Sequence, residues 1–86
     1  MSTNQEKPRT LLHRREVLKR NALSNSGLYK RIQAGLITRA VPLGMQRVGW
    51  PEDEVDAIIA ARIAGKSDDE IRALVNELHS ARKVTA

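Results

Sequence analysis

At 86 residues the chain has room for one small domain, and folding at this size buries only about 60–65% of the unfolded surface. The absence of Cys excludes disulfides, thiol catalysis and cysteine-ligated zinc, and one Trp, one Tyr and no Phe leave little to wall an enclosed active-site pocket. The net charge of +5 is unevenly spread: residues 1–49 carry ten bases against two acids (+8), and residues 50–86 carry five bases against eight acids (−3). This separation predicts a polyanion-binding first half and a scaffold or partner-binding second half. No apolar run approaches the roughly 18 residues of a membrane span, and the polar start, Met1 to Pro8, carries no signal-peptide pattern. The expectation is a soluble intracellular module, with no membrane partner.

Residues 1–8 lack apolar periodicity and read as a disordered tail. A short helix is predicted over Arg14 to Arg20, with Val17 and Leu18 inward and Arg14, Arg15, Lys19 and Arg20 outward. Asn21-Ala22-Leu23 then makes a tight connection. Ser24 opens a second helix, because its hydroxyl can accept from free amides of the first turn. Leu28 and Ile32 share its buried face, and Gly35 is the expected left-handed stop. From Leu36 to Trp50 the helical period disappears. Ile37, Arg39 and Val41 alternate with Thr38 and Ala40, which predicts a two-stranded hairpin turning around Gly44. Pro42 restricts its strand to an edge, and Trp50 is the anchor that holds the hairpin on the helices.

Pro51 suits a first helical position, and Glu52, Asp53 and Glu54 suit the first turn of a third helix, where acids complement the macrodipole. Val55, Ile58, Ile59 and Ile63 form its expected buried stripe, and Gly65 ends it. Ser67 and Glu70 have capping-box spacing. The fourth helix then buries Ile71, Leu74, Val75 and Leu78, at i, i+3, i+4 and i+7. The fold class is therefore mainly α with a small β-hairpin, a winged helix-turn-helix in the order α-α-β-β-α-α. The expected division is a tail at 1–8, a DNA-binding domain at 9–65, and a C-terminal helix at 66–86. That last helix either packs on the domain or mediates self-association.

The arrangement has a direct physical use. A helix fits the major groove of DNA, where base edges carry a distinguishable donor and acceptor code. A wing extends the footprint along the backbone or into the minor groove, where Arg is favoured. The second helix is the reader, offering Asn25, Ser26, Tyr29 and Lys30, with Arg31 on phosphate and the Ser24 end offering amides to another phosphate. Arg39, Gln46 and Arg47 are assigned to the wing, and Arg14 and Arg15 to the backbone from the first helix. His13 and His79 lack ligand spacing, no nucleophile–base set is visible, and no metal, cofactor or enzymatic activity is expected. The acids Glu52, Asp53, Glu54 and Asp56 are read as serving the helix dipole, not paired-carboxylate chemistry.

The stretches RREVLKR, LSNSGLYKRIQAGL, VPLGMQRVGW and PEDEVDAIIAARIAG, together roughly 55 residues, make segment 11–64 resemble the AlpA family of small phage and prophage regulators. That family is related to excisionases and, more distantly, to MerR-type DNA-binding domains. The resemblance implies a transcriptional regulator whose second helix reads the major groove through Asn25, Ser26, Tyr29 and Lys30, while Arg39 and Arg47 act from the wing. The chain departs from it at Asn21-Ala22, where members often have Thr-Gly, at Asn25, often Arg, and at Gly27, often Thr. An excisionase-like directionality factor shares the same fold and chemistry. A protein-interaction module using the acidic half is the alternative of another class. Cooperative self-association on DNA, and an integrase or host-protein partner, remain open.

Overall fold

The computed structural model describes residues 9–84; the tail expected over residues 1–8 lies outside them. The elements run β1 (Leu11–Leu12), α1 (Arg14–Asn21), α2 (Asn25–Gln33), β2 (Val41–Gly44), β3 (Arg47–Pro51), α3 (Glu52–Ile63) and α4 (Asp68–Val84). The protein is mainly helical with a small antiparallel sheet, and its order α-α-β-β-α-α is a winged helix-turn-helix arrangement.

The two helix starts read from the sequence form as the capping chemistry demands. Ser24 accepts from the Gly27 amide at 3.2 Å to open α2. Ser67 accepts from the Glu70 amide at 3.1 Å, and Glu70 accepts from the Ser67 amide at 2.8 Å, so the capping box before α4 is complete. The hydrogen bond from the Ser67 amide holds the Glu70 carboxyl below its ordinary range. The ends of α1 and α2 differ. Gly35 takes the left-handed conformation (φ 79°) just beyond α2 at no steric cost. After α1 the same region is occupied by Ala22 (φ 56°), which an L side chain resists.

The sheet is three-stranded, in the order β1-β3-β2. Leu11 pairs with Pro51 and Leu12 with Trp50, so a strand preceding α1 joins the hairpin, beyond the two strands expected. Pro42 sits in edge strand β2, where a missing N–H breaks no inner ladder. The apex is displaced from the expected position. Gly44 pairs with Arg47, and the two-residue loop is Met45-Gln46, with φ 52° and 63°. Positive φ at both loop residues matches the right-handed twist of a hairpin, although neither residue adopts it readily.

Three further expectations are corrected. The segment 36–40 is not a strand: Leu36, Ile37 and Thr38 are consecutively buried, because the connector runs between two apolar layers and not along a half-exposed sheet. Arg39 therefore precedes the wing and stands at its base. Pro51 ends β3 and occupies the N-cap, so α3 begins at Glu52. Ile63 is 82% exposed, not part of the buried stripe. At about 100° per residue it falls roughly 130° round the helix from the centre of Glu54, Val55 and Ile58, which are buried.

Two apolar clusters make the core. The first joins Leu12, Val17, Leu28, Ile37, Trp50 and Val55 from the sheet, α1, α2 and α3. Trp50 anchors it and donates from Nε1 to the Thr38 carbonyl at 2.9 Å. The second joins Leu36 and Ile58 to Ile71 and Val75 of α4, with Leu74 and Leu78 packed against it. The stripe predicted for α4 is thus turned onto its own chain. Among the described residues no helix is long and apolar enough to cross a membrane.

Candidate nucleic-acid interface

Leu28 and Ile32 pin one side of α2 to the core. Asn25, Ser26, Tyr29, Lys30 and Gln33 then fall on the opposite, exposed side, within an arc of roughly 140°. Tyr29 is 62% exposed, and its hydroxyl lies 3.1 Å from Gln33 Nε2, which donates to it. Ser26 Oγ lies 3.3 Å from Ser24 Oγ. The face is therefore rich in hydrogen-bonding groups that bond only to one another. Ser24 itself is engaged as the cap.

Arg31 does not share this face. It is half-buried on the flank of α2, beside Arg20, Asn21 and Arg62 at the end of α3. Arg39 is exposed, but its guanidinium lies 3.5 Å from His79 Nδ1, at the wing base. Gln46 and Arg47 are exposed at the wing loop and the start of β3. The loop also presents Met45, 91% exposed, which residue-type reasoning did not single out. Its position inside a predicted turn is the only signal that pointed to it.

An open cleft of about 560 Å³ lies between the start of α1 and the wing, lined by His13, Arg14, Arg15, Glu16, Arg47 and Val48. Arg14 sits over the Trp50 ring, 5.6 Å from its centroid, so the anchor of the core also orients a surface cation. His13 joins the basic groups there, as the residue immediately before α1. The structure thus brings Arg14, Arg15 and Arg47 together from separate parts of the sequence.

The arginines divide by what they touch. Arg20 meets Glu16, Glu52 and Asp56 at 3.0–3.1 Å. Arg9 meets Asp53 and Glu54, Arg72 meets Asp69, and Arg62 meets Asp68 at 3.7 Å. Arg82 meets Glu54 at 2.6 Å, and Glu54 is only 1% exposed. Among the described residues Arg14, Arg15, Lys30, Arg31, Arg39 and Arg47 have no carboxylate partner, nor do the lysines Lys19, Lys66 and Lys83. Burial of Glu54 was missed in the sequence because its charge outweighed its place: it lies four residues before Ile58, on the same helical face.

Comparison with curated proteins and with solved structures finds no match. The family model described as "Prophage CP4-57 regulatory protein (AlpA)" matches residues 10–63, from the residue before β1 to the last residue of α3. The match takes in the helix pair, the wing and the helix behind them, and the chain belongs to the AlpA family of phage regulatory proteins.

Proposed function

We propose that the protein is a non-enzymatic transcriptional regulator that binds double-stranded DNA sequence-specifically. In this reading α2 enters the major groove with Asn25, Ser26, Tyr29 and Lys30. Asn can pair with adenine through two hydrogen bonds, and Lys can reach guanine. Arg14, Arg15 and Arg47 hold backbone phosphates from the cleft beside the wing. The wing loop, with Met45 and Gln46, lies along the backbone or in the adjacent minor groove. Arg31, turned to the flank, has a smaller part than its neighbour Lys30.

One observation carries the reading: Lys30 on the α2 face and Arg14, Arg15 and Arg47 around the α1–wing cleft have no carboxylate partner among the described residues, while Arg9, Arg20, Arg62, Arg72 and Arg82 are all held by acids of their own chain. Docking of a protein through the acidic half is less well supported. Glu52, Asp53, Glu54, Asp56, Asp68 and Asp69 all have intramolecular arginine partners.

The test is titration of labelled duplex DNA by fluorescence anisotropy across a salt series, with wild type, Lys30→Ala and Arg47→Ala. Removing one phosphate contact is expected to lower the salt slope by about one and weaken all sequences alike, as predicted for Arg47→Ala. Lys30→Ala is expected to erase discrimination between duplexes. Equal binding by all three proteins at every salt concentration would overturn the proposal.

A further inference from the structure

The connector 34–40 joins the reading helix to the wing, and α4 holds it at both ends. At the α2 end, Arg72 Nε donates to the Ala34 carbonyl at 2.8 Å, and the aliphatic part of Arg72 lies over Gly35. At the wing end, the Arg39 amide donates to His79 Nε2 at 3.0 Å, and Arg82 donates to the Arg39 carbonyl at 2.8 Å. Arg82 is itself fixed by buried Glu54 of α3. Between these ends Leu36 packs into the α4 cluster, and the next residue, Ile37, packs into the core of the helix pair. The family match stops at residue 63, before α4 begins.

We propose that α4 is a brace that fixes the wing relative to the reading helix, with Arg72, His79 and Arg82 as positioning residues. Its consequence for DNA rests on the function proposed above, whereas the brace itself is a property of the free protein. Without it, α2 and the wing are joined by a segment anchored from one side only. The two contact regions then no longer meet DNA as one pre-ordered surface, and ordering them is a cost of binding.

The brace also has a defined chemical weakness. His79 Nε2 accepts a hydrogen bond, so the ring must be unprotonated at that nitrogen. Burial, then the nearby Arg39 and Arg82, push its pKa below the ordinary 6.5, against an opposing pull from Glu54. These are the charged groups facing it from the connector, α4 and α3. The neutral ring's contribution is complete above about 6.5 and is lost as pH falls through the lowered folded value. Gln at this position keeps an acceptor without titrating.

The experiment compares full-length wild type, His79→Gln, His79→Ala and Arg72→Ala. In free protein, NMR reads exchange of the Arg39 amide and the orientation of β2–β3 relative to α2. With DNA, affinity is measured between pH 7.5 and 5.0, and hydroxyl-radical footprints separate the wing-side from the helix-side contacts. The expectation is a protected Arg39 amide in wild type and His79→Gln, and an exposed one with a reoriented or averaged wing in His79→Ala. Arg72→Ala is expected to shift the wing orientation while sparing the Arg39 amide bond.

Wild type should lose about fivefold or more in affinity relative to His79→Gln as pH falls, within the range of coupling between separate parts of one protein. His79→Ala should lose the wing-side footprint first. An unchanged wing orientation in His79→Ala, or identical pH profiles for wild type and His79→Gln, would overturn the brace. Should His79→Ala fail to fold, the profile comparison still decides. A wing that moves as expected while even wild type binds no duplex would support the brace and overturn the DNA reading.

Discussion

The helices α2 and α4 follow the same design up to a point and then part. Each buries one apolar stripe: Leu28 and Ile32 in α2, and Ile71, Leu74, Val75 and Leu78 in α4. They differ in what their polar side chains meet. Arg72 and Arg82 of α4 turn back to carbonyls and carboxylates of their own chain. Asn25, Ser26, Tyr29 and Lys30 of α2 face solvent, with hydrogen bonds only to local neighbours. Charge alone does not separate a contact surface from a structural one. The distinction lies in whether the folded chain already satisfies that charge.

Substitutions in the paired region should strike stability, and the largest effect is expected at Glu54. Its carboxylate is buried between Arg82 and Arg9. Glu54→Ala removes one partner from a buried pair and should cost about 3 kcal/mol by urea denaturation. A cost below about 0.5 kcal/mol would make the pair an ordinary surface contact.

Lys30→Ala should do the reverse. It should weaken binding to the preferred duplex by about 1–3 kcal/mol, with a stability change within about 0.5 kcal/mol. Anisotropy and thermal melting of the same preparation check both halves. A variant that lost stability and binding together would blur the contrast.

Two smaller effects test the backbone. Ala22 takes a left-handed conformation that an L side chain resists and Gly adopts freely. Ala22→Gly should stabilise the helix pair by about 0.5–1 kcal/mol, the relief of strain exceeding the added entropy of the unfolded chain. Thr38 Oγ1 is buried with no hydrogen-bond partner. Thr38→Val keeps the shape, removes the unpaired hydroxyl, and should raise stability by up to about 1 kcal/mol in chemical denaturation. A loss in the Thr38 variant would mean that the hydroxyl is satisfied in solution.

Much of this was legible in the sequence because the signals were local. Ser24 and Ser67 announce their helices by side-chain chemistry, and the i, i+3, i+4, i+7 stripe of α4 fixes its buried face. What escaped was set by distant partners. β1 is only Leu11-Leu12, too short for any alternation, and it exists because β3 offers it a free edge. The apex falls at Met45-Gln46 and not at Gly44, since the pairing of Gly44 with Arg47 decides the loop. Ile63 looked buried by its four-residue spacing from Ile59, but its helix ends there on the outward side. On the candidate interface, the exposed α2 face followed from helical geometry, whereas Arg31 turned to the flank and Arg39 moved to the wing base. The cleft joining Arg14 and Arg15 to Arg47 depends on tertiary folding.

The most direct test of the central claim is selection from a random duplex library at about 150 mM salt, with wild type and Lys30→Ala in parallel. The account predicts that wild type recovers a defined motif and that Lys30→Ala recovers none above background. Binding without a motif in wild type, falling steeply with salt, would contradict it and leave the basic surface as electrostatic attraction alone.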